Sequence, residues 1–410
     1  MKKSFALFLV FMGAATLMSA QDAQSSTEGT PAAAIDSYLQ PLAADHTFAG
    51  AVVLVATKDR VAYVKAVGYR DLARKSPMAA NDLFWIASTS KPMTATALMM
   101  LVDEGKVNLD DPVEKYLPEF HGQMVNVAKP GPDGKAGQPT LVPANHPILV
   151  REVLSHTSGL PFKSNAQPGA LDTLPLKDAV RSFAAEPLKF QPFTDYSYSN
   201  EGLNTAARII EVVSGMPYEQ FMQQRLFDPL GMTDTTFWPS KEQIARLATS
   251  YKYDEKAREL VPLPIDQLTY PLDDRQHRYP MPAGGLFSTA EDVSKFCRMI
   301  LNGGTMNGRR YISVNALRQM TSVQNGGLGG SDYGFGWGIS SEGMGHGGAY
   351  NNAMEINRTK GRILIFMVQQ NGQFGTAEGK TIIKSLEPLA DSAAASSAGA
   401  ANAAVEPRKN

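Results

Sequence analysis

Two stretches near opposite ends of the chain constrain its fold more than anything between them. "GAVVLVATKDRVAYVKAVG" (50–68) holds two valine-rich runs broken by Lys58-Asp59-Arg60. "AMEIN", a turn at 358–361, and "RILIFMVQQN" (362–371) repeat that texture far downstream. Each reads as a β-hairpin. From 108 to about 282 the chain is loop-rich, with many prolines and short helical patterns such as 202–215 and 217–232. The economical arrangement joins the two ends into one antiparallel sheet flanked by helices, an α/β fold of the α+β type. The middle then forms a second, mostly helical lobe, and the active site lies in the cleft between them. This divides a catalytic domain, 31–389, into a sheet lobe (about 31–85 and 283–389) and a helical lobe (about 86–282).

The edges of the chain read differently. Lys2 and Lys3 precede an apolar run (5–12), and small residues follow up to Ala20. That is the order of a secretory signal peptide, 1–20, and it predicts an exported, periplasmic or secreted protein. No stretch is long enough and apolar enough to predict a membrane span. The 129–147 segment, rich in glycine and proline, is expected to be an exposed excursion. A last helix is expected near 380–389. The alanine- and serine-rich 391–410 reads as a disordered tail.

Net charge is −1, with no block of one sign, which argues against nucleic acid as a partner. The one cysteine, Cys297, sits in a helical pattern beside Phe296 and Ile300 and reads as a small buried hydrophobe. No histidine pair has metal-ligand spacing, so neither a metal nor another cofactor is expected. A small-molecule or peptide substrate is the expected partner, and oligomeric state stays open.

"WIASTSKPMTATALMMLVDEGK" (85–106) sets Ser88 and Lys91 three residues apart at a predicted helix start. That spacing puts both side chains on one face. A serine hydroxyl is a weak nucleophile until something takes its proton, and a lysine whose pKa is lowered by burial can do so. The spacing alone fits a helix cap and a solvated lysine equally well. Two further motifs add to it. Tyr198-Ser199-Asn200 precedes the 202–215 helix, and a tyrosine there can exchange protons with a serine if cations hold it partly as phenolate. Asn200 can bond both an ammonium and a substrate amide. His346-Gly347-Gly348 leads into the strand at 353–357; the glycines permit close approach, and the histidine offers a donor at the strand edge.

S-x-x-K, Y-S-N and H-G-G, in this order, resemble the motif set of the serine β-lactamases and penicillin-recognising enzymes, most closely the class C type. Supporting phrases are "LSHTSGL" (154–160), "DPLGMTDT" (228–235), "PAGGLFSTAEDVSKF" (282–296) and "YGFGWG" (333–338). The resemblance implies that Ser88 is the acylated nucleophile, Lys91 its proton partner and Tyr198 the general base or acid. It implies substrate contacts from Asn200, His346, Gly348 and Ala349, with backbone N–H groups of Ser88 and Ala349 stabilising the oxyanion. Tyr350-Asn351-Asn352 also spells Y-x-N, but it follows the third motif and is expected to line the site at most. His156 is expected to pin a loop. His346 stands where class C enzymes carry lysine, as in D-aminopeptidases. The expectation is an exported serine hydrolase acting on β-lactams or D-amino-acid peptides, with carboxylic esters as the runner-up. A non-catalytic, peptidoglycan- or partner-binding protein is the remaining alternative.

Overall fold

The computed structural model describes residues 29–130, 136–372, 374 and 381–405. The expected signal peptide and residues 406–410 lie outside them. Seven strands form the main sheet: β1 (Gly50–Ala56), β2 (Val61–Asp71), β3 (Ser76–Pro77), β4 (Gly338–Ile339), β5 (Gly343–Gly347), β6 (Ala353–Asn357) and β7 (Arg362–Val368). Their order is β4-β5-β6-β7-β1-β2-β3, and every pairing is antiparallel. The two chain ends meet where β1 pairs with β7, Ala51 opposite Val368 through Ala56 opposite Ile363.

All seven residues of β1 and all seven of β7 are buried. Side chains alternate between faces of a strand, so an unbroken apolar run needs cover on both sides. Val52, Leu54, Ile363 and Ile365 join the large core that also holds α2 (Lys91–Asp103), α3 (Val150–Ser155), α4 (Leu176–Ala184), α5 (Asn200–Ser214) and α6 (Ala290–Leu301). Val53, Val55, Leu364 and Phe366 instead meet α1 (Pro31–Ala44) and α7 (Ile382–Val405). Cys297 is buried on α6.

One expectation needs correction. The stretch from 391 is not a disordered tail: α7 continues to Val405. Ala393 and Ala394 are buried against the sheet, and Asp391 accepts from Arg362 Nε at 2.7 Å and Lys360 Nζ at 2.6 Å. Alanine is the best helix former, so a low-complexity alanine tract is helix-competent once one face finds cover. The 129–147 excursion takes the form of a β-hairpin, Met124–Pro130 paired with Ala136–Pro143, with Thr140, Leu141 and Pro143 exposed. Among the described residues no helix is long and apolar enough to cross a membrane.

Candidate active site

Ser88 lies in a 3-10 turn, Ala87–Ser90, that runs directly into α2. Ala87 has φ of 45°, a left-handed conformation uncommon outside glycine. Ser90 Oγ holds the turn by donating to the Ala87 carbonyl at 2.6 Å. Ala87, Thr89 and Ser90 are buried, whereas Ser88 is partly exposed. The turn therefore presents one hydroxyl to the cleft.

Lys91 is wholly buried in the first turn of α2. Its Nζ lies 3.1 Å from Ser88 Oγ, 2.7 Å from Asn200 Oδ1 and 2.8 Å from the Ala283 carbonyl. Burial holds its pKa well below the usual lysine range. Asn200 Oδ1 and the Ala283 carbonyl can only accept. A neutral amine spends its two N–H bonds on them, and its lone pair is left for the Ser88 proton.

Tyr198 closes the other side of Ser88. Its hydroxyl is hydrogen-bonded to Ser88, and Lys91 Nζ sits 4.6 Å from its ring centre. Burial pushes the Tyr198 pKa up, beyond what the Ser88 bond offsets. Tyr198 is thus a neutral phenol at pH 7, and the condition for a phenolate, a nearby cation, is not met: Lys91 beside it is itself held toward its neutral form by burial.

The Tyr198 loop rests on "LSHTSGL". His156 Nδ1 accepts from the Ser199 N–H at 3.1 Å, and its carbonyl accepts from the Ser197 N–H at 3.0 Å. The His156 ring lies 4.5 Å from that of Tyr198. Ser199 caps α5 by accepting from the Gly202 N–H, which points Asn200 at Lys91.

On the facing strand, β5, the His346 ring centre is 6.1 Å from that of Tyr198. Its Nδ1 is 2.8 Å from the Gly347 carbonyl and its Nε2 is 3.0 Å from the Tyr333 hydroxyl. A carbonyl only accepts, so Nδ1 carries the proton and Nε2 accepts from Tyr333. Burial first, and the nearby Lys91 second, push the His346 pKa down to about 3. Both ring nitrogens are engaged, Nδ1 as a donor to the strand-edge Gly347 carbonyl, and the ring is neutral. Tyr333, which sequence reasoning placed in an accessory phrase without a role, is what occupies Nε2.

Gly348 packs against the Ser88 turn so tightly that a Cβ would stand 2.5 Å from the Ile86 carbonyl. This brings Ala349 to the cleft, where Ser88, Asn200 and Ala349 line one cavity of about 240 Å³. The Ala349 N–H makes no backbone hydrogen bond among the described residues, and Ser88 is at a helix start, where N–H groups lack intrahelical partners. The pair can meet a developing oxyanion. A longer groove of about 850 Å³ begins at Tyr198 and His346 and follows β4 and β5 toward Glu387. Tyr350 and Asn352 are structural: the Tyr350 ring packs 5.1 Å from that of Trp85, and Asn352 Nδ2 donates to the Trp85 carbonyl.

Residues 35–386 match the family model described as Beta-lactamase. The chain belongs to the beta-lactamase family. Within it, an uncharacterised protein of Mycobacterium tuberculosis (strain CDC 1551 / Oshkosh) is 34% identical over 282 residues, 66% of this chain and 67% of that protein. Esterase EstB of Burkholderia gladioli is 26% identical over 75% of this chain and 78% of that protein. Among solved structures, EstCE1, a hydrolase with promiscuous acyltransferase activity, superposes with a TM-score of 0.70 at 23% identity. It covers 88% of this chain and 97% of that one, and at this identity the likeness is one of fold. The beta-lactamase family includes serine hydrolases, and its fold accounts for the sheet made from both chain ends.

Proposed function

We propose that this protein is an exported serine hydrolase that cleaves small esters, and activated amides, through an acyl-Ser88 intermediate. The observation that carries the reading is the position of Ser88 Oγ, bonded on one side to a buried lysine of depressed pKa and on the other to Tyr198. In this account Lys91 takes the Ser88 proton as Oγ attacks the carbonyl carbon. The oxyanion is met by the Ser88 and Ala349 N–H groups. On collapse the carbonyl–leaving-group bond breaks, the leaving group takes a proton from Tyr198, and Lys91 passes the proton it took from Ser88 to the Tyr198 oxygen. Water then repeats the sequence on the acyl-enzyme: Lys91 accepts its proton, and Ser88 Oγ leaves with a proton from Tyr198, which Lys91 replaces. Asn200 holds Lys91 in place throughout.

The neutral, doubly engaged His346 is what favours esters over β-lactams here. A lysine would offer a fixed charge to a substrate carboxylate; His346 offers none near neutral pH. EstB, by its name an esterase, supports ester cleavage within this family. The test is a panel of nitrocefin, p-nitrophenyl acetate and D-alanine p-nitroanilide run on one preparation, with labelling by a fluorophosphonate. Ester turnover above nitrocefin turnover is expected. No label and no turnover across the panel would leave the fold as a binding protein and sink the proposal.

A further inference from the structure

Glu201 follows Asn200 on α5, yet the chemistry above does not use it. It is 1% exposed, and neither carboxyl oxygen has a hydrogen-bond partner among the described residues. A first-turn acid is ordinarily left in solvent, where it complements the helix dipole. Here burial dominates and, helped by Glu186, pushes the pKa up to about 9, with Lys189 acting the other way. A buried carboxyl without a partner is costly, and it is the kind of group a ligand can satisfy.

The carboxyl lines a small cavity with Ser164, Gln167, Asn204 and others. Those polar neighbours are already engaged: Ser164 with Ser182 and Glu186, Gln167 with the Leu171 carbonyl, and Asn204 with the Ala283 N–H. Lys163, exposed at its rim, donates to the Pro168 carbonyl. The cavity has about 10 Å³ of accessible room, which is the space of one water-sized group. Phe162, Lys163, Leu171, Asn200 and Met281 line both this cavity and the one that holds Ser88. The two spaces therefore adjoin and are lined in part by the same residues, Asn200 among them.

We propose that Glu201 floors a subsite of the Ser88 cleft, one that takes a primary ammonium on the acyl part of the substrate and so sets the preference among acyl groups. The inference rests on the acyl-serine reading for which part of the substrate enters. An ammonium is water-sized and brings three donors to two unsatisfied acceptors. Glu201 gives its proton to solvent as the ammonium enters, which leaves a hydrogen-bonded ion pair in place of a lone acid.

The test uses p-nitroanilides of alanine, 3-aminopropanoic acid and 4-aminobutanoic acid, each matched with the same acyl group lacking the ammonium. Varying the chain finds the reach from Ser88 to Glu201. Wild type should prefer at least one ammonium-bearing member by about tenfold or more in kcat/KM. Glu201→Gln and Glu201→Met should both lose that preference. Equal rates within every pair, or a preference that survives in both variants, overturns the proposal. Calorimetry on Ser88→Ala reads the subsite without turnover: the preferred member should bind more tightly than its match, and not so in Ser88→Ala/Glu201→Met. Equal binding would mean that Glu201 keeps a water and takes no ammonium. Should the acyl-serine reading fail instead, fluorophosphonate labelling would fail while the calorimetric difference remained.

Discussion

Lys91 and Glu201 flank Asn200 and are both removed from water, yet the fold treats them in opposite ways. Lys91 has three hydrogen-bond partners within 3.1 Å of its nitrogen. Glu201 has no donor for either oxygen among the described residues. Burial takes the charge from both, since desolvation lowers a lysine and raises a carboxyl. What differs is the use to which the neutral form can be put. A neutral lysine with its hydrogens tied down is a directed base. A neutral acid with nothing bound to it stores an unmet hydrogen-bonding capacity, at a cost of about 1–3 kcal/mol when left unsatisfied. The first arrangement suits a reaction and the second suits a ligand.

The largest effect expected from breaking this pair is on the lysine side. Lys91→Ala should lower kcat by roughly a thousandfold or more, as losses of a nucleophile's base do. Tyr198→Phe should also be severe. The double variant should lose far less than the product of the two, because both act on the one Ser88 proton. Single-turnover rates on p-nitrophenyl acetate check this, and a fully multiplicative loss would separate the two residues.

Sharpening the comparison next means changing what Asn200 offers Lys91. With Lys91 depressed, kcat/KM should rise with pH through its lowered pKa and reach its plateau well below pH 10. Asn200→Asp adds a negative charge 2.7 Å from Nζ, which favours the ammonium and should move that rising limb to higher pH by about one unit or more. An unmoved limb would mean that some other group controls it.

His346 offers a smaller effect. A ring pushed down to about 3 stays neutral from pH 5.5 to 8.5. The wild-type ratio of kcat/KM for carboxylate-bearing over neutral substrates should be flat across that range. His346→Lys should raise the ratio, less so at high salt. A wild-type ratio that falls as pH rises through about 6.5, the ordinary histidine value, would restore the charge that the Tyr333 contact argues against.

The smallest effect falls on Glu201 and stability. Its folded pKa, about 9, lies above the unfolded carboxyl range. The unfolded chain thus releases this proton first as pH rises, and its contribution to stability is lost progressively from about pH 4.5 to about pH 9. Glu201→Met should raise Tm by a few degrees at pH 8 and by less at pH 5. Equal shifts at both pH values would mean that Glu201 does not titrate differently on folding.

Much of this was legible from residues alone. Runs such as "RILIFMV" announced strands, and because the runs lie at both ends, the sheet had to be closed by β1 and β7. Ser88, Lys91, Tyr198 and Asn200 were found because their motifs are local, each within a few residues of a helix start. The alanine tract of α7 was misread because composition hid a helix that needed only a sheet to lie on. Tyr333 and the Ala283 carbonyl were out of reach for another reason. They meet His346 and Lys91 only through tertiary packing, and nothing local marks a tyrosine as a histidine's partner. Glu201 was masked by its position, since an acid in a first turn reads as a solvated dipole partner until its burial is known.

The central claim is that Ser88 is the group the cleft activates. Intact-mass and peptide analysis of wild type and Ser88→Ala after fluorophosphonate treatment tests it most directly. Wild type should gain a single adduct, on the peptide that contains Ser88, and Ser88→Ala should gain none while keeping its melting transition. An adduct of the same mass on Ser88→Ala, or a wild-type adduct on Ser199 or another residue, would contradict it.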